Sequence, residues 1–185
     1  MENKVTEINP DFGVVIDLET VGKEAGCGIL SIGATTLNGE YTFSVGININ
    51  TCYAAGLWID PTTMNWWSTQ TIEAREAAFS GTCSIETALD LFADWYKSVG
   101  SPLIWGNGAG FDFPILGAAY GAIGAEIPWK YHDERCYRTL KALYPEIPAD
   151  KFQGIKHVAL CDAMYEAQHL RKILVTIKEG KIKCT

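Results

Sequence analysis

No Cys-x-x-C pair occurs anywhere in the 185 residues, although six cysteines are present: Cys27, Cys52, Cys83, Cys136, Cys161 and Cys184. A zinc ribbon and a dithiol redox motif are therefore excluded, and the thiols are expected to be free, in a reducing compartment. Also missing is any apolar run near the ~20 residues that a membrane-spanning helix needs. The opening MENKVTEINP has nothing of a signal peptide, so the expectation is a cytoplasmic chain with no membrane partner. Positive charge is in deficit, since 15 Lys and Arg against 22 Asp and Glu leave a net charge of -7. That excludes a broad basic face of the kind that neutralises many phosphates of a duplex. The basic residues gather late, at Arg171, Lys172, Lys178, Lys181 and Lys183, and read as a short solvated tail. Repeats, low-complexity tracts and linkers are absent too. The chain is expected to form a single domain, residues 1 to 185, with its core between about 12 and 174.

What is present is the composition of a globular chain: a hydrophobic fraction of 48% against a charged fraction of 20% supports a real core. FGVVIDLE reads as a strand, and CGILSIGATTL and EYTFSVGININ as two more, joined by the hairpin signal Asn38-Gly39. Asp60 followed by Pro61 starts a helix over DPTTMNWWSTQ. Ser84 opens another that Gly100 ends, with Ile85, Leu89, Leu91, Phe92 and Trp95 at helical spacing. SPLIWGN is a short buried strand, FDFPILGAAYGAI a helix with Pro114 in its first turn, and ERCYRTLKALYP a shorter helix stopped by Pro145. HVALCDAMYEAQHLRKIL is a long helix packed through Ala159, Ala163, Ala167 and Leu170. Three strands first, then strand and helices mixed, predict an α/β fold in which helices cover a sheet.

Three places in this scheme carry clustered acid. Asp17 and Glu19 are two apart on a strand and so project to the same face. Two carboxylates forced together in a partly dry place share a proton or hold cations, whereas an exposed strand end in an acidic protein would show the same pair. Asp112 follows a strand and a glycine-rich loop at the start of a helix. That is a routine capping position, and also the kind of junction where open α/β sheets build sites. His157 and Asp162 are five apart, about 140° around a helix. The pair converges only if His157 lies on the entering loop and Asp162 within the helix.

Asp17-Leu-Glu19 in a strand, Phe-Asp112 after Trp-Gly-Asn, and His157-Val-Ala-Leu-Cys-Asp162 resemble, in order and spacing, the three motifs of the DEDDh family. These are 3′-to-5′ exonucleases of the ribonuclease H-like superfamily, such as proofreading epsilon-type subunits, oligoribonuclease and ribonuclease T. The similarity runs from Phe12 to about Leu174, and the small size with the NWWSTQ segment looks most like the compact phage and bacterial exoribonuclease branch. It implies a mixed sheet, an antiparallel three-strand meander extended by parallel strands, flanked by helices. It also implies two divalent cations, Mg²⁺ or Mn²⁺, ~3.5–4 Å apart, that clamp the scissile phosphate. Carried over by residue, Asp17, Glu19 and Asp162 would ligate the first cation, Asp17 also the second, and Asp112 the second through water. His157, on a mobile loop, would take the proton of the attacking water, a task suited to imidazole as a side-chain type. The implied activity is release of nucleoside 5′-monophosphates from single-stranded DNA or RNA 3′ ends, and a homodimer is among the assemblies the resemblance implies, since relatives often dimerise.

For substrate binding the candidates are Trp66, Trp67, Gln70, Leu18, Thr20 and Phe113. The two tryptophans are adjacent on a helix and point about 100° apart, so one can be core while the other offers a flat surface to a terminal base. Gln70 lies one turn on, Phe113 stands beside Asp112, and Leu18 and Thr20 flank Glu19. Of the last two, Thr20 is favoured, because the resemblance places a sugar contact just after the second acid. His132 and His169 lack such partners and are expected to be ordinary. The segment ETVGKEAGCGIL departs from the glycine and leucine usual after the second acid, which leaves the choice of sugar open. The alternative reading is a non-catalytic module that binds nucleic-acid ends on the same fold.

Overall fold

The computed structural model describes residues 12–100, 102–108 and 110–180. Strands β1 (Val14–Thr20), β2 (Ile29–Thr36) and β3 (Thr42–Gly46) form an antiparallel meander. Strands β4 (Ile104–Gly106) and β5 (Glu134–Cys136) extend it in parallel, giving the order β3-β2-β1-β4-β5. The turn between β2 and β3 is set by Gly39 at φ 75° and by Asn38, whose Oδ1 accepts hydrogen bonds from the Thr36 hydroxyl and the Glu40 N–H.

Seven helices are described: α1 (Ile49–Ala54), α2 (Pro61–Ser68), α3 (Ile72–Phe79), α4 (Ile85–Ser98), α5 (Asp112–Ala122), α6 (Tyr137–Leu143) and α7 (Ala159–Lys178). Asp60 caps α2 by accepting from the Thr62 N–H at 2.9 Å, and Ser84 caps α4 through the Thr87 N–H at 3.2 Å. Three expectations are corrected. The segment Glu134–Cys136 is strand β5 rather than helix, and Cys136 instead caps α6 through its Sγ. The run to Asn50 ends as a strand at Gly46, because Asn48 caps α1 there. Arg171, Lys172 and Lys178 lie in α7 rather than in a tail, and Lys172 pairs with Asp150 at 3.0 Å. Lys181, Lys183 and Cys184 lie outside the described residues.

Alternation along β1 decides how the layers are built. Val14, Ile16 and Leu18 point to one face, where they pack with Leu89, Phe92 and Tyr96 of α4 and Ile115, Leu116 and Tyr120 of α5. Val15 points to the other, against Tyr137 of α6 and Ala167, Leu170 and Leu174 of α7. By the same alternation Asp17 and Glu19 share the α7 face. Among the described residues no helix is long and apolar enough to cross a membrane.

Candidate active site

The two acids of β1 sit near its C-terminal end, beside the C-terminal end of the parallel strand β4, where α/β sheets open into crevices. A shift of register after Glu19 sets its partner at Ser31 and that of Thr20 at Ile29, a bulge of the sort that re-aims side chains. The third acid arrives through β4. Gly106 leaves room for it, since a Cβ there would lie 2.7 Å from Asp112 Oδ2. Asp112 is the first residue of α5 and does not cap it; its Oδ2 instead accepts from the Asn107 N–H at 3.1 Å. The fourth acid depends on Gly33, which pairs with Asp17 across the ladder. A Cβ on Gly33 would lie 2.2 Å from the Ala159 carbonyl carbon, so only glycine lets the first turn of α7 rest on the sheet and bring Asp162 over Asp17.

His157 lies on the loop entering α7, as its spacing from Asp162 requires, in a left-handed conformation at φ 63°. That turn points its N–H at Asp162 Oδ2, at 2.8 Å, and sets its ring edge-on to Trp66, 4.9 Å between centroids. Glu19, His157 and Asp162 each offer a ligand atom within 4.8 Å of the others. The cleft they share, about 400 Å³, is also lined by Asp17, Thr20, Lys23, Trp66 and Asn107. A larger depression of about 860 Å³ lies between the β2–β3 turn and α7, and none of the predicted site residues lines it.

The electrostatics reflect acids gathered away from water. Burial pushes Glu19 up to about 8, reinforced by the charges of Asp162 and Asp112. Burial also raises Asp17, with Asp112, Glu19, Glu166 and Asp162 all adding to the effect. Asp112 rises to about 7 through burial, held back by N–H groups of Asn107, Asp112 itself and Leu18 and by the Arg138 charge. Asp162 is raised by burial and restrained by the His157 N–H. Each carboxylate thus bears an uncompensated cost that a cation placed among them would remove.

The candidate substrate residues divide. Trp66 is 39% exposed while Trp67 is 2% exposed, with its Nε1 donating to the Thr20 carbonyl at 2.8 Å. Thr20 lines the cleft, and its hydroxyl donates to the Gly22 carbonyl. Leu18 reaches the cleft only beside its backbone, because alternation turns its side chain into the core. Gln70 donates from its side chain to the Trp66 carbonyl and lines an adjoining depression together with His157. Phe113 is corrected, being buried against Trp129, while Phe111 lines the cleft instead. His169 lies between the Tyr137 hydroxyl and the Ile147 carbonyl; His132 lies beside Asp133 at 3.7 Å. Sequence reasoning missed Asn107, Lys23 and above all Glu166, which lines the cleft at 6% exposure. The available signal was its position four residues after Asp162, about 40° away on the same helix face.

Against known proteins, residues 13–174 match a family model described as the 3′-5′ exoribonuclease Rv2179c-like domain. Among solved structures, the nuclease domain of 3′hExo, a DEDDh family member bound to rAMP, is similar at TM-score 0.60 and 13% identity, over 95% of this chain and 96% of that one. The comparison with curated proteins finds no match. The shared architecture is the ribonuclease H-like mixed sheet flanked by helices.

Proposed function

Because the chain belongs to the family of the 3′-5′ exoribonuclease Rv2179c-like domain, we propose that it hydrolyses single-stranded RNA stepwise from the 3′ end, releasing nucleoside 5′-monophosphates. The observation that carries the reading is the convergence of Asp17, Glu19 and Asp162 with His157 around one cleft, with Asp112 buried close enough to repel Asp17 and Glu19. The neighbour 3′hExo is bound to rAMP, a nucleoside monophosphate of the product class proposed here.

The donor set fits hard divalent cations. All four acids offer oxygen ligands, all four are raised by burial, and Glu19, His157 and Asp162 already place ligand atoms within 4.8 Å of one another. Asp17, Glu19 and Asp162 would hold one Mg²⁺ or Mn²⁺, and Asp17 and Asp112 the other. When bound, the pair supplies the positive charge that favours attack by water and departure of the 3′-oxygen.

The chain's own residues do the rest. His157, with its N–H anchored on Asp162, accepts the proton of the attacking water through a ring nitrogen. Trp66 offers its exposed ring to a terminal base, and Trp67 holds Thr20 and so the end of β1 in place. Lys23, exposed at the same cleft, faces the backbone phosphates as they enter. The acidic net charge suits an enzyme that takes one strand end at a time, not one that grips long duplexes.

The test incubates the purified chain with 5′-labelled single-stranded RNA and DNA of equal sequence, in Mg²⁺, Mn²⁺ or EDTA, beside Asp17→Ala. A cation-dependent ladder that shortens RNA from its 3′ end, absent in the variant, is the expected outcome. Equal shortening of DNA would overturn the RNA assignment. Binding of ends without shortening in either cation would favour a non-catalytic end-binding module.

A further inference from the structure

Glu166 is an acid for which the four-carboxylate scheme has no use. It lies one turn beyond Asp162 on α7, is 6% exposed and lines the same cleft. Its two oxygens are treated differently. Oε1 accepts a hydrogen bond from Asn107 Nδ2, and Asn107 in turn takes Lys141 Nζ on its Oδ1 at 3.4 Å and donates its N–H to Asp112 Oδ2. Oε2 is buried and has no hydrogen-bond partner.

Holding Asn107 needs only an acceptor, and a glutamine would provide one without charge. The chain instead carries a carboxylate that Asp112, Asp162 and Asp17 repel, against the attraction of Lys141. A buried carboxylate oxygen without a partner, close to other acids, is unfavourable in its ionised form, and either keeps a proton or takes a cation. Of the acids around Glu166, Asp112 repels it most strongly and Asp162 less, and Asn107 bonds both Glu166 and Asp112. The unused oxygen therefore belongs to the Asp112 side.

We propose that Glu166 is a fifth carboxylate of the cation centre, giving Oε2, directly or through one water, to the cation shared by Asp17 and Asp112, while Oε1 keeps Asn107 and Asp112 in register. The proposal rests on the cation-dependent reading above. It makes the second cation site one carboxylate richer than the three sequence motifs provide.

Calorimetric titration of Mn²⁺ into the full chain, with Glu166→Gln and Asp17→Ala beside the wild type, separates the two ideas. Glu166→Gln preserves the acceptor for Asn107 and removes only the charge and one ligand oxygen. The expected result is two Mn²⁺ sites in the wild type and a loss of tenfold or more in affinity at the weaker one in Glu166→Gln, with the melting temperature in EDTA unchanged or higher. Isotherms that superimpose, or tighter binding by the variant, overturn the role of Glu166 and leave the four-acid reading standing. A wild type that takes up no Mn²⁺ overturns both. Should Glu166→Gln not fold, Mn²⁺-soaked crystals of the wild type decide: an anomalous peak bonded to Oε2, or one water away, supports the proposal, and two bound ions both beyond that reach overturn it.

Discussion

Adjacent tryptophans with opposite fates give the sharpest contrast at the scale of single residues. Trp67 is buried and hydrogen-bonded to Thr20, whereas Trp66 stands half-open beside the His157 ring. Trp67→Ala leaves a large void and is expected to cost ~3–5 kcal/mol of stability, a melting drop on the order of 10 °C. Trp66→Ala is expected to melt near the wild type yet raise KM for single-stranded RNA about 5- to 150-fold, the ~1–3 kcal/mol of one base stacked on an aromatic ring. Thermal melts and steady-state kinetics on the same preparations check both, and an unchanged KM in Trp66→Ala would remove the stacking role. For His157→Ala the expectation is a kcat ~10² to 10⁴ lower with KM little changed; full activity at neutral pH would show that another group takes the proton. Each of these residues was legible because a spacing or an adjacency exposed it. Glu166 was not, since an acid four residues after another on an amphipathic helix looks the same whether it faces water or a cleft. Phe111 and Phe113 were exchanged for a related reason: two aromatics flank Asp112, and only the angle at which α5 leaves the loop decides which is core.

Among the elements, the site depends on how closely α7 lies on the sheet, and Gly33 sets that distance. Gly33→Ala would drive a Cβ into the Ala159 backbone, which no side-chain rotation relieves. The expected cost is ~1–3 kcal/mol or more, and displacement of Asp162 from Asp17 should lower kcat by a larger factor than the stability loss explains. Measuring kcat well below the melting temperature of the variant separates the two effects; wild-type kcat there would mean that α7 keeps its seat by another route. Long elements with strong periodicity, α4, α7 and the β1–β2–β3 meander, were readable from caps, alanine spacing and the Asn38-Gly39 turn. The three-residue strand β5 was not, because a strand that short carries no alternation, and its neighbours Tyr137–Leu143 extend a helical pattern back across it. Helices α1 and α3 have six and eight residues, too few turns to give an apolar stripe.

Over the whole molecule, the gathered carboxylates tie stability to pH with a definite sign. Glu19 and Glu166 are raised to about 8 and Asp112 to about 7, first by burial and, for the two glutamates, then by neighbouring charge, whereas in the unfolded chain such groups titrate near ~4. Between those limits the folded protein holds protons that the unfolded chain has lost. Stability from these groups is therefore present at low pH and falls as pH rises towards about 8. On the proposed reading, divalent cations would bind the ionised carboxylates and stabilise the fold by RT ln(1 + [cation]/Kd), an effect that would grow as the protons leave. In EDTA the melting temperature is thus expected to decline between about pH 5 and pH 8, at ~2–4 °C per kcal/mol for a chain of this length. With millimolar Mn²⁺ the decline should shrink or vanish. A melting temperature in EDTA that stays level across that range, or a Mn²⁺ increment no larger at pH 8 than at pH 5, would mean that these carboxylates are neither buried together nor completed by cations. Acids gathered at the C-terminal end of β1 thus fold against their mutual repulsion, which protons relieve at low pH and which bound cations are expected to relieve at neutral pH.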